Sequence, residues 1–266
     1  MKQSNFLFIV KKSFAQHKKT LLYIAISTTI LLWCLLILAR QGEWSNRGIF
    51  DVVVDVGGIN GSANHYMLIV VAIPVLVILL THMVEQMENP ISVLTYQSRF
   101  SIWHTQVVAA ILLSLVFTIF IMAVSLLLGG VLVGWENTWL NPSGTVGEYL
   151  NNEEQYAAIS TNLVTYKIIR TIFLTKFFGF LMISFSFLFL KQLLKNSAFV
   201  LIIMYAITGL DHLGILPFFI YTMNATVSIA DWLEPMKTIY HVIYLMVVSM
   251  VLYAITGWLY ERKDFY

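Results

Sequence analysis

Long apolar runs alternate with short polar segments along this chain. Six runs are long enough to matter for a membrane, at about 21–39, 66–84, 107–133, 171–190, 197–212 and 238–260. Because hydrocarbon offers the backbone no hydrogen bonds, each run must satisfy its own N–H and C=O groups, as a helix does. Runs this unbroken exclude a barrel of short alternating strands. The pattern predicts an all-α integral membrane protein with six transmembrane helices, folded as one domain over residues 1–266.

The composition indicates that lipid is the solvent, and the motifs give no sign of catalysis. Of the 266 residues, 59% are hydrophobic and 11% are charged, whereas a typical soluble domain is about 25% charged. The single cysteine, Cys34, cannot form an internal disulfide or a cysteine metal cluster. The six histidines show no close metal-ligand spacing, and the sequence contains no phosphate-binding loop or hydrolase motif. We expect no catalytic residue, metal or cofactor on this chain, and no nucleic-acid partner.

Lysine and arginine are distributed unevenly between the two sides of the predicted bundle. With the N-terminus in the cytoplasm, ten of the sixteen fall inside, and six fall outside or in the outer half of a span. This bias fits the positive-inside rule. An even number of spans returns both termini to the cytoplasm, so we expect residues 137–165 to lie outside. None of the longer outside segments resembles a separate folded domain.

The N-terminal segment is amphipathic. Phe6, Ile9 and Phe14 fall on one helical side, and lysines between and after them supply charge. Such a segment predicts a helix over 5–18 that lies in the cytoplasmic interface and is attracted to anionic lipid. The run that follows has 19 residues without a charge, which exceeds the roughly 7–15 residues of a signal-peptide core. We therefore interpret it as an uncleaved first span.

A short semi-polar piece separates the second run from the third. Asn89 is a good N-cap and Pro90 fits the first position of a helix. Glu85 and Glu88 precede that position, where negative charge is favoured. Four apolar residues then recur at helical spacing and form one stripe: Val93, Tyr96, Phe100 and Trp103. The pattern predicts a short helix over 90–101, with one face on the membrane body and another left for a partner. An ordinary interfacial helix at headgroup depth is the simpler alternative.

Three ionisable residues interrupt the apolar runs near the predicted outer side: Lys176, Asp211 and His212. A charge inside a span costs roughly 2.5–3.5 kcal/mol, so such groups usually pair or face water. The depths of Lys176 and Asp211 are compatible with a pair, with His212 at the broken end of the fifth run. Alternatively, the fifth span ends at Gly209, Asp211 lies at the outer interface, and Lys176 extends its ammonium toward water.

Together these features resemble the permease subunits of ABC-2-type exporters over nearly the whole chain. Such permeases carry a basic elbow helix, here 5–18, then six spans with a coupling helix between spans 2 and 3, here 90–101. They also carry broken half-membrane helices between spans 5 and 6. The segment after Gly209, with further breaks at Gly214 and Pro217, looks like that last element.

A short motif adds to the resemblance. The stretch LTYQSRFSIWHTQ is similar to the R-Y-G-S-R-x-x-W segment of small exporters linked to antimicrobial peptides and bacteriocin immunity. Ser98 and Arg99 match this pattern, and Trp103 lies one position beyond its tryptophan, whereas Thr95 and Gln97 replace its first arginine and its glycine. The second part of the motif therefore points to that branch of the family.

The resemblance implies the membrane half of an ATP-driven exporter in the bacterial plasma membrane, with both termini cytoplasmic. Its unit would hold two permease chains, this one with a second copy or a related chain, and two cytosolic ATPases that bind ATP and magnesium. It would export an amphipathic peptide or a lipid-like molecule as spans 1, 2 and 5 change their separation. The residues expected to couple to the ATPase are Glu85, Glu88, Pro90, Val93, Tyr96, Arg99, Phe100 and Trp103. Lys176, Asp211 and His212 would form an outer gate.

Two other functions remain open. A stand-alone membrane immunity or scaffold protein would need no ATPase and no docking surface. A lipid-modifying or proteolytic membrane enzyme finds support only in Asp211 and His212. A neighbouring gene for a Walker-motif ATPase would distinguish the exporter from both.

Overall fold

Helices make up most of the described chain. The computed structural model describes residues 18–41, 47–54, 61–89, 93, 98–194, 196–215, 224–228, 231–232 and 234–262, and these residues contain no strand. The helices are α1 (Lys18–Arg40), α2 (Ile49–Val53), a π-helix (Met67–Ala72) continued by α3 (Ile73–Met87), α4 (Arg99–Val133), a 3-10 helix (Thr138–Leu140), α5 (Thr145–Leu150), α6 (Glu153–Ser160), α7 (Thr165–Leu193), α8 (Ser197–His212) and α9 (Pro235–Glu261). The predicted all-α fold is confirmed. The predicted elbow helix lies outside the described residues except for Lys18, and the segment predicted to hold the half-membrane helices is described only in part.

Within the described part of the chain, five helices are long and apolar enough to cross a membrane: α1, the π-helix with α3, α4, α7 and α9. The protein is therefore a multi-pass membrane protein. Helix α8 is also apolar, but its 16 residues span about 24 Å at 1.5 Å per residue. That length is shorter than the roughly 30 Å hydrocarbon core of a bilayer. The helix has the bounds predicted for the fifth span, 197–212, but a sixth full crossing stays a prediction.

The helical bundle has two different ends. At one end, α3 and α9 finish and α4 begins; we call it the Glu88 end, made of residues 85–89, 98–106, 191–194, 196–197 and 257–262. At the opposite end, short helices cover the bundle; we call it the Asp51 end, made of residues 47–54, 61–65, 135–165, 231–232 and 234–238. Arg47 holds α1 at the Asp51 end, because its guanidinium donates to the last carbonyls of that helix, including the Ala39 oxygen at 2.9 Å.

Helix α7 is the span most enclosed by the others. It packs along α9 and also contacts α3, α4 and α8. Phe180 on α7 meets Phe117 on α4 with ring centroids 5.0 Å apart. The buried hydroxyls of Ser114 and Ser184 are 3.0 Å apart between the same two helices. Close packing and such hydrogen bonds hold a membrane bundle together, because lipid is as apolar as the helix faces themselves.

The end of α8 explains why the fifth apolar run stops where it does. Gly214 has φ +66°, in the left-handed region. Its N–H donates to the Asp211 carbonyl, and the Ile215 N–H donates to the Leu210 carbonyl, both at 3.1 Å. This pair of bonds is a Schellman motif, which closes a helix and favours glycine at its left-handed position. The predicted break at Gly214 therefore has a local cause.

The Asp51 end contains a second hydrophobic core, separate from the core inside the bundle. Its residues come from three segments: the one after α1, the one before α7 and the one before α9. Its buried members include Phe50, Val52, Trp139, Val146, Tyr156, Ile159, Leu163 and Trp232. The three segments therefore pack against one another and against the ends of α1 and α7 in this core.

Candidate functional site

A carboxylate joins three helices at the Glu88 end. Glu88 directly follows α3, and its Oε1 accepts hydrogen bonds from Gln106 Nε2 on α4 and from the Tyr260 hydroxyl on α9, both at 3.2 Å. The side chains of Gln106 and Tyr260 are buried. Hydrogen bonds to a charged acceptor contribute about 1.5–3 kcal/mol each. The contact therefore ties the loop after α3 to α4 and α9.

Trp103 lies in the interior next to this contact. Its side chain is 1% exposed, and its ring centroid is 5.8 Å from those of Tyr253 and Tyr260. Gly257 leaves room for the indole, because a Cβ at that position would lie 2.9 Å from Trp103 Nε1. Trp103 thus packs inside the bundle, and the predicted stripe does not present it to a partner.

The helix predicted over 90–101 differs from the structure at its end. The Val93 N–H donates to the Asn89 carbonyl at 2.9 Å, as in the first turn of a helix. Ser98, however, is extended, with φ −156° and ψ 157°, and its hydroxyl oxygen accepts from the Ser101 N–H at 3.1 Å. Serine is a strong N-cap, so Ser98 starts α4, and any helix that begins at position 90 ends before it.

Two of the predicted coupling residues are exposed at the Glu88 end. Phe100, in the first turn of α4, is 53% exposed and stacks on His104. The exposed Glu85 carboxylate pairs with Lys191 of α7 at 3.4 Å, a kind of contact that contributes about 0–1 kcal/mol. Val93 is partly buried against the main core. Outside the described residues lie Pro90, Tyr96 and the side chain of Arg99.

Lys176 and Asp211 are both enclosed by protein. Their side chains are 2% and 0% exposed, respectively. The Lys176 ammonium donates to the Ala225 carbonyl oxygen at 2.5 Å. Lys176 therefore does not extend to the surface, and its pairing with Asp211 stays a prediction. It holds the segment that precedes α9 against α7.

His212 lies against a second histidine that precedes the second span. The ring centroids of His65 and His212 are 5.1 Å apart, and His65 Nδ1 is buried without a hydrogen-bond partner among the described residues. Burial, together with the charges of Lys176 and His212, lowers the pKa of His65 to about 4, against an opposite effect of Asp211. His65 is therefore neutral at pH 7, and the half-buried His212 ring lies against it.

Asp51, which the sequence analysis did not single out, organises the opposite end of the molecule. It is 5% exposed and lies at the third position of α2, where a side chain can accept from the N-cap N–H. The spacing of Gly48 and Asp51, three residues apart, is the feature of the sequence that could have predicted this capping role. The carboxylate accepts four hydrogen bonds, from Gly48 N–H at 2.7 Å, Trp139 Nε1 at 2.6 Å, Thr145 Oγ1 at 3.0 Å and Thr138 Oγ1 at 3.1 Å. One side chain thereby joins α2 to the 3-10 helix and α5.

No protein-family model, curated protein or solved structure matches this chain. The geometry of the described residues therefore carries the functional conclusion. Among them, no group of three His, Cys, Asp or Glu side chains is arranged to hold a metal ion. The contacts at the Glu88 end join three helices, and Lys176 joins the segment before α9 to α7.

Proposed function

We propose that the chain is the membrane-spanning permease subunit of an ATP-driven exporter, with its Glu88 end in the cytoplasm. The observation that carries the proposal is the contact of Glu88 with Gln106 and Tyr260. A membrane subunit that receives work from a cytosolic ATPase needs a cytoplasmic loop tied firmly to its spans. Here the loop after α3 is bonded to two other spans, so a displacement of the loop moves three helices together.

Docking and transmission fall to different residues in this mechanism. The exposed Phe100, with Arg99 beside it in the first turn of α4, contacts the ATPase. The buried Trp103 and the bonded Glu88 carry the movement into the bundle. The ATPase supplies the sites for ATP and magnesium, and the exported molecule is an amphipathic peptide or a lipid-like compound.

The outer gate of this proposal is the group around Lys176, Asp211 and His212. The bond from Lys176 to Ala225 draws the segment before α9 onto α7. Such a bond can hold the outer end of the bundle closed, because a buried ammonium loses much free energy when its acceptor is withdrawn. Movement at the Glu88 end would release it through α7 and α9, which pack along each other.

The test begins with the tagged chain, purified from membranes of its native host. We expect an ATPase with a Walker motif to copurify, and amphipathic peptides to stimulate its ATP hydrolysis. Phe100→Ala and Arg99→Glu should reduce the amount of ATPase retained. Tyr260→Phe should retain the ATPase but lose most of the stimulation, because it removes the hydroxyl that bonds to Glu88.

Leu193→Ala is the matched control. Leu193 is 56% exposed at the end of α7, on the same end of the molecule but outside the loop. This variant should behave like the parent. If no ATPase copurifies with the parent chain, the exporter proposal is wrong and the stand-alone membrane protein is favoured. If all variants match the parent, the coupling surface lies elsewhere.

A further inference from the structure

A cavity of about 310 Å³ opens between α7 and α9 at the Asp51 end. Both helices begin at this end, at Thr165 and Pro235, so the cavity lies between their first turns. None of the residues discussed as a coupling loop, gate or Asp51 contact lines it. The cavity therefore needs an explanation of its own.

The lining of the cavity changes from cationic to apolar with depth. On α7, Lys167 and Arg170 lie in the first two turns, and Leu174 follows one turn deeper. On α9, Thr238 is followed one turn deeper by Val242. Residues three or four apart share one helix face, so each helix contributes a polar upper part and an apolar lower part. This is the arrangement that an amphiphile requires.

Three donors that line the cavity are unused or only partly used by the described residues. Arg170 is exposed and forms no hydrogen bond or ion pair with any residue that the structure describes. Trp232 is 4% exposed, and its Nε1–H has no hydrogen-bond partner in the described part of the chain. Lys167 gives one hydrogen bond, to the Thr161 carbonyl at 2.7 Å, and an ammonium has three to give. A buried N–H of this kind calls for an acceptor that the described residues do not provide.

The charge of the lining leaves room for one anion. Lys167 and Arg170 supply two positive charges, and Asp231 supplies one negative charge. The Asp231 carboxylate already accepts from Ser228 N–H and Oγ at 2.8 and 2.9 Å, and it faces His241 at 3.7 Å. Asp231 is thus held on the side of Ser228, and the two cations remain for a ligand.

We propose that this cavity binds an amphiphile with a phosphate-bearing, net anionic headgroup, such as an anionic phospholipid. The headgroup lies on Arg170 and Lys167 and accepts from the Trp232 indole, and an acyl chain follows Leu174 and Val242 into the bundle. The guanidinium fork of arginine matches two oxygens of a phosphate. The positive ends of two helix dipoles also favour an anion here. The site does not depend on the exporter function proposed above.

The experiment uses the full chain, purified in a neutral detergent and freed of bound lipid. Native mass spectrometry counts the adducts formed with dihexanoyl phosphatidylglycerol and gives an apparent affinity. Dihexanoyl phosphatidylcholine has the same chains and phosphate, but its choline cancels the charge. We expect phosphatidylglycerol to bind about tenfold more tightly or better, because Arg170 and Lys167 repel the choline cation of phosphatidylcholine. Inorganic phosphate at the same concentration should not displace it.

Three variants locate the site. Arg170→Gln should weaken phosphatidylglycerol binding about tenfold or more, and Trp232→Phe should weaken it several-fold. Arg40→Gln removes an exposed cation at the same end of the molecule but outside the cavity, and it should bind like the parent. Because Arg170 is exposed and unpaired with described residues, its variant should fold normally, which size-exclusion chromatography verifies.

Three results would overturn the proposal. Parental affinity in Arg170→Gln would show that the lipid binds elsewhere. Equal affinities for the two lipids would show that the cavity does not select an anionic headgroup. Displacement by equimolar inorganic phosphate would show a site for a free anion, in which the apolar lower part has no role.

Discussion

Replacing Asp51 by asparagine should loosen the Asp51 end while leaving the helical bundle intact. The two carboxylate oxygens accept from two N–H groups and two hydroxyls. Asparagine keeps one oxygen and puts an NH₂ group in place of the other. The threonine hydroxyls can turn and accept from that group, but Gly48 N–H and Trp139 Nε1–H can only donate. Whichever way the amide is oriented, one of these two donors faces another donor.

The cost follows from the bonds that are lost. A hydrogen bond to a charged acceptor contributes about 1.5–3 kcal/mol, and a buried donor left without a partner costs about 1–3 kcal/mol. These contributions overlap, and Asp51 is only 5% exposed, so water has little access to replace the acceptor. We expect a free-energy change of about 3 kcal/mol for local opening. At 1.4 kcal/mol per factor of ten, the open form becomes roughly a hundredfold more populated.

The labelling rate of a buried cysteine measures this opening. Val146 is fully buried in the second core, and a cysteine placed there reacts with a polar maleimide only when that core opens. The assay uses Val146→Cys in a Cys34→Ser background, because Cys34 is the sole native cysteine. If closing is faster than labelling, the rate reports the population of the open form. Asp51→Asn should raise this rate roughly a hundredfold.

The matched control is Glu153→Gln, which removes an exposed carboxylate at the start of α6, at the same end of the molecule. Surface substitutions of this kind usually change the free energy of unfolding by no more than about 0.5 kcal/mol. The labelling rate of this variant should therefore stay within about threefold of the parent. An equally small change in the labelling rate for Asp51→Asn would refute the reasoning. It would mean that the four hydrogen bonds of Asp51 do not hold the second core together.

Two further predictions concern packing and protonation. Gly257→Ala should destabilise the protein by about 1–3 kcal/mol, because the new Cβ would lie 2.9 Å from Trp103 Nε1. Gly209→Ala is the control, because a Cβ there would meet nothing within 4 Å. Equal melting temperatures for the two variants would contradict the described packing of Trp103 against Gly257. His65→Asn should flatten the pH dependence of stability. With a folded pKa of about 4, below its ordinary value, His65 contributes stability above about pH 6.5 that is lost as the pH falls toward 4. Melting curves at about pH 7.5 and pH 5 test this, and an equal loss in parent and variant would argue against it.

Local chemistry was enough to predict the helices and several of their ends. The apolar runs make helices because backbone groups in lipid have no other partners. The end of α8 just before Gly214 could be predicted from the sequence, because a Schellman motif depends on a few adjacent residues. The start of α4 was misjudged for the same local reason, since Ser98 is a better cap for α4 than a continuation of the preceding turn.

The candidate sites depend on contacts that no short stretch contains. Asp51 meets donors 87 to 94 residues further along the chain, and Glu88 meets Tyr260 across 172 residues. Lys176 found its acceptor in the backbone of Ala225, which has no side-chain property that the sequence could have revealed. Only the packing of several helices decided these partners.

The lipid surroundings are a further reason why the sequence could not predict which helix faces pack together. In a soluble helix the apolar face marks the core, but in a membrane the lipid-facing side is equally apolar. Trp103 is 1% exposed and Trp258 is 52% exposed, although both lie in apolar helical segments near the Glu88 end. The sequence by itself therefore determined that these helices form, and the tertiary structure decided which of their faces meet protein.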